Sequence, residues 1–292
     1  MFKGSIVAII TPFHNGKVDE RKLRDLIDFQ IKNETSGIVP CGTTGESATL
    51  NFDEHEKVIE ITIDQVSKRV PVIAGTGSNS TQEAIKLTLA AARAGADASL
   101  QVSPYYNRPT QRGLYEHFKA IAGSVGIPII LYNIAGRTGV NIEPETIAKL
   151  AHDCKNIVAV KEASGSLDQM SRIRQLCPKE FVLISGDDSL TLPVLSIGGS
   201  GVISVVANIA PLDVANLVDA FGRGDFKKAQ ALHFKLLPLI KAVFLETNPI
   251  PVKTAMGLLG MCDADLRLPM CSMSAGNLEK LKIALKDYGL LK

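Results

Sequence analysis

Eight short apolar runs stand between Ser5 and Val205, and a stretch with helical spacing separates each from the next. Strands that all run the same way need a crossover between them, and a helix is the usual one, so this alternation calls for a parallel sheet covered by helices. The runs are Ser5–Ile10, Gly37–Pro40, Val70–Gly75, Asp97–Val102, Pro128–Asn133, Ile157–Lys161, Phe181–Ser185 and Gly201–Val205. Helices are expected at Asp19–Lys32, Asp53–Ser67, Ser80–Ala94, Gln111–Ser124, Pro144–His152, Leu167–Leu176 and Leu190–Ile197. The connections are short and the composition never breaks. One closed (β/α)8 TIM barrel is therefore the economical reading, with an open doubly wound sheet as the alternative. After Asn208 only helical patterns remain, at Leu212–Phe221, Phe226–Phe244, Val252–Leu259 and Ala275–Asp287. Residues 1–210 are expected to form the catalytic barrel and 211–292 a C-terminal helical extension.

The sixth run carries the chemistry. Ile157-Val158-Ala159-Val160 reads as a fully buried strand, and Lys161 follows on the same face as Ile157 and Ala159. A lysine desolvated there would have its pKa lowered, leaving a neutral amine able to attack a carbonyl. The alternative is a lysine that ends the strand and reaches back to water.

The totals exclude several classes. With 32 Lys and Arg against 30 Asp and Glu, the net charge is +2, and no electrostatic footprint for nucleic acid or an anionic membrane is visible. No apolar run approaches a membrane span, and Met1–Ile10 lacks a basic start before an apolar core, so a cytoplasmic protein is expected. The five cysteines form no CxxC pair and are expected to be free thiols. No His/Cys/Asp set has metal-ligand spacing, and no metal or organic cofactor is expected.

In a barrel of this kind the strand ends and the loops after them carry the function. Those ends present Thr43 and Thr44, Tyr105 and Tyr106, Tyr132, Arg137, Lys161, Gly186-Asp187-Asp188 and Ile203. Hydroxyls, one arginine and one lysine suit a carbonyl substrate bearing a carboxylate. Each has a plainer reading: Gly42–Gly45 as a tight turn, Tyr132 as core, Arg137 as surface charge, Asp187-Asp188 as a helix cap. Likewise His55, among Asp53, Glu54 and Glu56, reads as a polar helix face.

Five segments resemble the dihydrodipicolinate synthase family. They are Gly42-Thr43-Thr44-Gly45-Glu46-Ser47-Ala48-Thr49-Leu50, Ser103–Pro109, Tyr132–Gly139, Val160–Ala163 and Asn248–Lys253. The resemblance runs from the first strand to the last helix. It implies that Lys161 condenses with pyruvate, while Thr44 holds the pyruvate carboxylate and Gly186 and Ile203 line the site. By the same resemblance Tyr132, Thr43 and Tyr106 relay protons, and Arg137 receives the carboxylate of L-aspartate 4-semialdehyde. A Tyr106 that enters a neighbouring subunit implies a tight dimer, paired into a homotetramer. Ser47, Ala48, His55, Asn79, Glu83 and Tyr105 match the residues that bind inhibitory L-lysine in some members. Two departures stand out: Ala135 replaces a usual proline before Arg137, and Phe52 replaces a frequent histidine near the lysine site. The wider superfamily of pyruvate-dependent class I aldolases, including N-acetylneuraminate lyase, shares the lysine and supplies the competing activity.

Overall fold

A computed structural model describes residues 2–292. Its eight barrel strands are β1 (Gly4–Ala8), β2 (Gly37–Val39), β3 (Ile73–Gly75), β4 (Ala98–Val102), β5 (Ile129–Asn133), β6 (Ile157–Glu162), β7 (Val182–Ser185) and β8 (Gly201–Ser204). All pair in parallel, in the spatial order β2-β1-β8-β7-β6-β5-β4-β3. An isolated parallel bridge between Ile38 and Val72 joins β2 to β3, and Gly75 N donates to Pro40 O at 3.0 Å, so the sheet closes on itself. Closure requires glycine at Gly75, where a Cβ would stand 2.3 Å from the Cys41 carbonyl oxygen.

Strand residues alternate between an inner and an outer face, and the inner ones fill the barrel. Ile6, Ala8, Val39, Ile73, Leu100, Ile130, Tyr132, Ala159, Ile184 and Ile203 form that interior cluster. The outer faces pack under helices α1 (Glu20–Lys32), α2 (Phe52–Val66), α3 (Thr81–Ala94), α4 (Gln111–Ser124), a single turn α5 (Ala135–Thr138), α6 (Pro144–Asp153), α7 (Leu167–Leu176) and α8 (Thr191–Ser196). Local chemistry starts them: Asp19 accepts Lys22 N at 3.0 Å, and Asn51 and Glu54 form a reciprocal capping box on α2.

Past β8, α9 (Pro211–Gly222) packs on β1 and α8, and α10 (Phe226–Ala242) runs along it. Then come α11 (Ile250–Leu258) and α12 (Ala275–Tyr288). Among the described residues no helix is long and apolar enough to cross a membrane. All five cysteines are free, and only Cys271 is exposed.

Candidate active site

Lys161 lies on β6 between Tyr132 of β5 and Ile184 of β7, in register with both. Its side chain is 6% exposed, and its Nζ stands 4.2 Å from the centre of the Tyr132 ring. Among the described residues no carboxylate comes within 4.0 Å of that amine. No salt bridge must break before it reaches a carbonyl carbon. Gly186 gives it room, since a Cβ there would stand 3.2 Å from Lys161 Cε and 2.7 Å from Ala163 Cβ. Glu162, next along the strand, faces the other way. It is fully buried and accepts from both Asn133 Nδ2 (3.0 Å) and the Ser164 amide (2.7 Å).

Thr43 and Thr44 sit in a loop held by a left-handed residue at each end, Cys41 (φ 54) and Glu46 (φ 53). Thr44 is buried, and its Oγ1 accepts from Asn248 Nδ2 at 3.0 Å. Glu46 turns inward to Lys253, with Oε1 2.6 Å from Nζ, and Oε2 accepts Arg267 N at 3.1 Å. Arg267 forks onto Glu54 at 2.7 and 2.6 Å and lies over the Phe13 ring, as does Lys253. The C-terminal extension thus pins the threonine loop.

Arg137 is in the helical turn α5, which begins at Ala135, and not in an open loop. Gly139 (φ 75) ends the turn, Thr138 Oγ1 donates to Ile134 O at 3.1 Å, and Arg137 Nη2 donates to Asn248 O at 3.1 Å. A cavity of about 520 Å³ opens between these elements. Thr43, Ile134, Arg137 and Asn248 form part of its wall; Ser47, Ala48, His55, Glu83 and Tyr105 form another part. Lys161, Tyr132, Thr44, Gly186 and Ile203 are outside that wall, within the barrel or at its strand ends. Ile203, on β8, belongs to the interior cluster.

Tyr106 is not brought to this cavity by its own chain: it is 90% exposed. Asn107 N donates back to Tyr105 O at 2.9 Å across it, and its φ of 72° makes a γ-turn of the rare, strained kind. Asn79 is outside the cavity wall too. Its Nδ2 donates to Tyr105 O at 3.1 Å, and Asn107 Nδ2 donates to Asn79 O at 2.9 Å, so it clamps the tyrosine loop.

One plain reading is overturned, and a second holds for only one of its two residues. His55 is buried rather than on a polar face, and burial pushes its imidazole down to about 4, against a smaller opposing effect at the Gly75 backbone. Asp187 does act as a cap, accepting Ser189 N at 2.8 Å, but Asp188 turns inward and takes the amides of Val205 (2.9 Å) and Val206 (3.1 Å). Burial holds the Asp188 carboxyl above its usual range, with Ser204 and those two amides opposing. Among the described residues no three His, Cys, Asp or Glu side chains are placed to hold a metal ion.

A family model described as "Dihydrodipicolinate synthetase family" matches residues 1–288. The chain belongs to the dihydrodipicolinate synthetase family. The 4-hydroxy-tetrahydrodipicolinate synthase of Syntrophus aciditrophicus is 63% identical over 291 residues, covering 100% of both chains. Among solved structures, the chloride-inhibited dihydrodipicolinate synthase of Acinetobacter baumannii, complexed with pyruvate, superposes with a TM-score of 0.97 at 44% identity, covering 100% of each chain. The family member from Cyanidioschyzon merolae with lysine bound does so with a TM-score of 0.97 at 43% identity, covering 99% of each.

Proposed function

We propose that this chain condenses pyruvate with L-aspartate 4-semialdehyde through a Schiff base on Lys161. The product is 4-hydroxy-tetrahydrodipicolinate, in the first committed step toward diaminopimelate and lysine. The observation that carries the reading is Lys161: a buried amine on the inner face of the barrel, against Tyr132, with no carboxylate in reach among the described residues.

The Lys161 amine adds to the pyruvate ketone and water leaves, giving an imine. Loss of a proton from the pyruvate methyl yields an enamine, which forms a carbon–carbon bond to the semialdehyde aldehyde. The new alkoxide takes a proton from the relay of Tyr132, Thr43 and Tyr106. The substrate's own amine then attacks the imine carbon, closes the ring and releases Lys161. Thr44 and backbone amides near Gly186 and Ile203 hold the pyruvate carboxylate, and Arg137 receives the second one. The exposure of Tyr106 supports a relay completed by the neighbouring subunit of a tight dimer, two of which pair into a homotetramer.

The cavity of about 520 Å³, with Glu83 and Tyr105 in its wall, supports feedback by L-lysine. Glu83 would meet the ligand's ammonium groups, and Tyr105 its polar end, with Ser47, Ala48 and His55 as walls and Asn79 holding the tyrosine loop. Because Tyr105 precedes Tyr106, a ligand that orders one displaces the other, a short route for coupling. Phe52 stands in that wall under the Lys86 ammonium, 5.0 Å from its ring centre.

Borohydride trapping with pyruvate, followed by peptide mapping, tests the reading. The label should sit on Lys161, and a label elsewhere overturns it. Turnover of the semialdehyde should far exceed cleavage of N-acetylneuraminate; the reverse order moves the chain to the aldolases. Arg137→Ala should lower kcat/KM for the semialdehyde by at least about tenfold while leaving imine formation intact. Millimolar lysine should inhibit the wild type and spare Glu83→Ala; equal effects on the two reject the lysine site.

A further inference from the structure

Asn248, just ahead of α11, is the point where the C-terminal extension touches both carboxylate-binding positions. It is 4% exposed and forms part of the cavity wall. Its Nδ2 donates to Thr44 Oγ1 at 3.0 Å, and its main-chain oxygen accepts from Arg137 Nη2 at 3.1 Å. Its Oδ1 is buried without a partner.

An amide nitrogen only donates, so Thr44 Oγ1 is the acceptor in this bond. A hydroxyl has two lone pairs and a single proton. With Asn248 on one lone pair, the proton of Thr44 remains for another acceptor. A hydroxyl whose proton was taken by a neighbour would turn lone pairs toward an incoming carboxylate and repel it. We propose that Asn248 is a positioning residue whose side-chain amide commits the Thr44 hydroxyl to donate to the pyruvate carboxylate. The proposal rests on the reading of Thr44 given above. The two halves of Asn248 divide the work: the side chain governs the pyruvate end, and the main chain steadies Arg137 at the semialdehyde end. The division carries the test, since substitution removes the side chain and leaves the backbone carbonyl.

The experiment measures KM for each substrate in Asn248→Ala, Asn248→Asp, Thr44→Ala and the double variant Thr44→Ala/Asn248→Ala. Asn248→Ala should raise the pyruvate KM about tenfold, the scale of one well-oriented hydrogen bond, with the semialdehyde KM within about twofold. Asn248→Asp has nearly the same shape but accepts the Thr44 proton and adds a negative charge. It should raise the pyruvate KM further, by about a hundredfold, and it keeps the test decisive if the alanine variant folds poorly. In the Thr44→Ala background, Asn248→Ala should add less than about twofold, because the group it acts through is gone. An additive cycle, or an equal rise in both KM values, overturns the inference alone. If Thr44→Ala leaves the pyruvate KM unchanged, or pyruvate does not trap Lys161, the underlying reading of the site falls and takes the inference with it.

Discussion

Lys161 and Lys253 are both buried, in opposite surroundings. Lys253 is fully buried on α11, ion-paired to Glu46 at 2.6 Å and set over the Phe13 ring at 3.9 Å. Burial pulls its ammonium below the usual lysine range, and Glu46 opposes that pull. Lys161 has a ring beside it too, Tyr132, but no carboxylate in reach among the described residues. A lysine locked to a carboxylate is spoken for: its lone pair is held by a proton, and its geometry by its partner. An amine with an aromatic ring beside it and no counter-charge in reach can form a covalent bond without first being released. Burial alone marks neither role; the presence or absence of a counter-charge separates them.

The largest break in this comparison should come at Lys161. Lys161→Ala should lower turnover by at least about 10³-fold and abolish borohydride trapping, because a covalent route has no substitute. Its melting temperature should hold or rise, since a buried amine is removed without stranding a partner. A large fall in melting temperature would make Lys161 a structural lysine like Lys253.

Lys253→Ala should do the reverse. It strands Glu46 in the interior, at a cost of about 3–5 kcal/mol, read by denaturant unfolding. The folded fraction should still trap pyruvate on Lys161. Adding Glu46→Gln should recover much of the loss, and no recovery would mean that the pair does not act as a pair.

A smaller effect sharpens the contrast from the other side, at imidazoles buried with one ring nitrogen unpaired. His55 Nδ1 and His117 Nε2 are buried and unpaired, and burial pushes both imidazoles down to about 4. An unfolded histidine titrates near 6.5, so between those values the unfolded chain binds more protons. Stability is whole above about pH 6.5 and falls as pH drops toward 4, by up to about 3 kcal/mol per histidine. Unfolding at pH 7 and pH 4.5 should differ accordingly. His117→Gln should flatten the slope, and an unchanged slope would clear that residue.

Much of this could be read in the chain. Apolar runs located all eight strands, and a 3.6-residue repeat the longer helices between them, since both are local properties. Ends were less legible: β1 stops at Ala8 although Ile9 and Ile10 are apolar, and β3 starts at Ile73, past Pro71, which lacks an amide for the ladder. The turn Ala135–Thr138 was invisible because four residues with a central glycine have no helical period. The polar contacts at the mouth were least legible. Glu46 and Lys253 both stand in segments that carry the family resemblance, yet nothing in either predicts that they touch across 207 residues. His55 reads as polar among acidic neighbours, and only the packing of α2 shows it turned inward.

The pinning of the threonine loop by the far end of the chain also sets an order in time. Glu46 leaves the ribosome 221 residues ahead of Arg267, which closes over it. At about 5–20 residues per second, that is a wait of roughly 10–45 s during synthesis. Only in the last part of that interval, once Ser204 has been made, can the nascent barrel have all its strands, and Lys161, while its threonine loop still lacks its Arg267 anchor. A half-made chain holds the nucleophile but not the grip on its substrate.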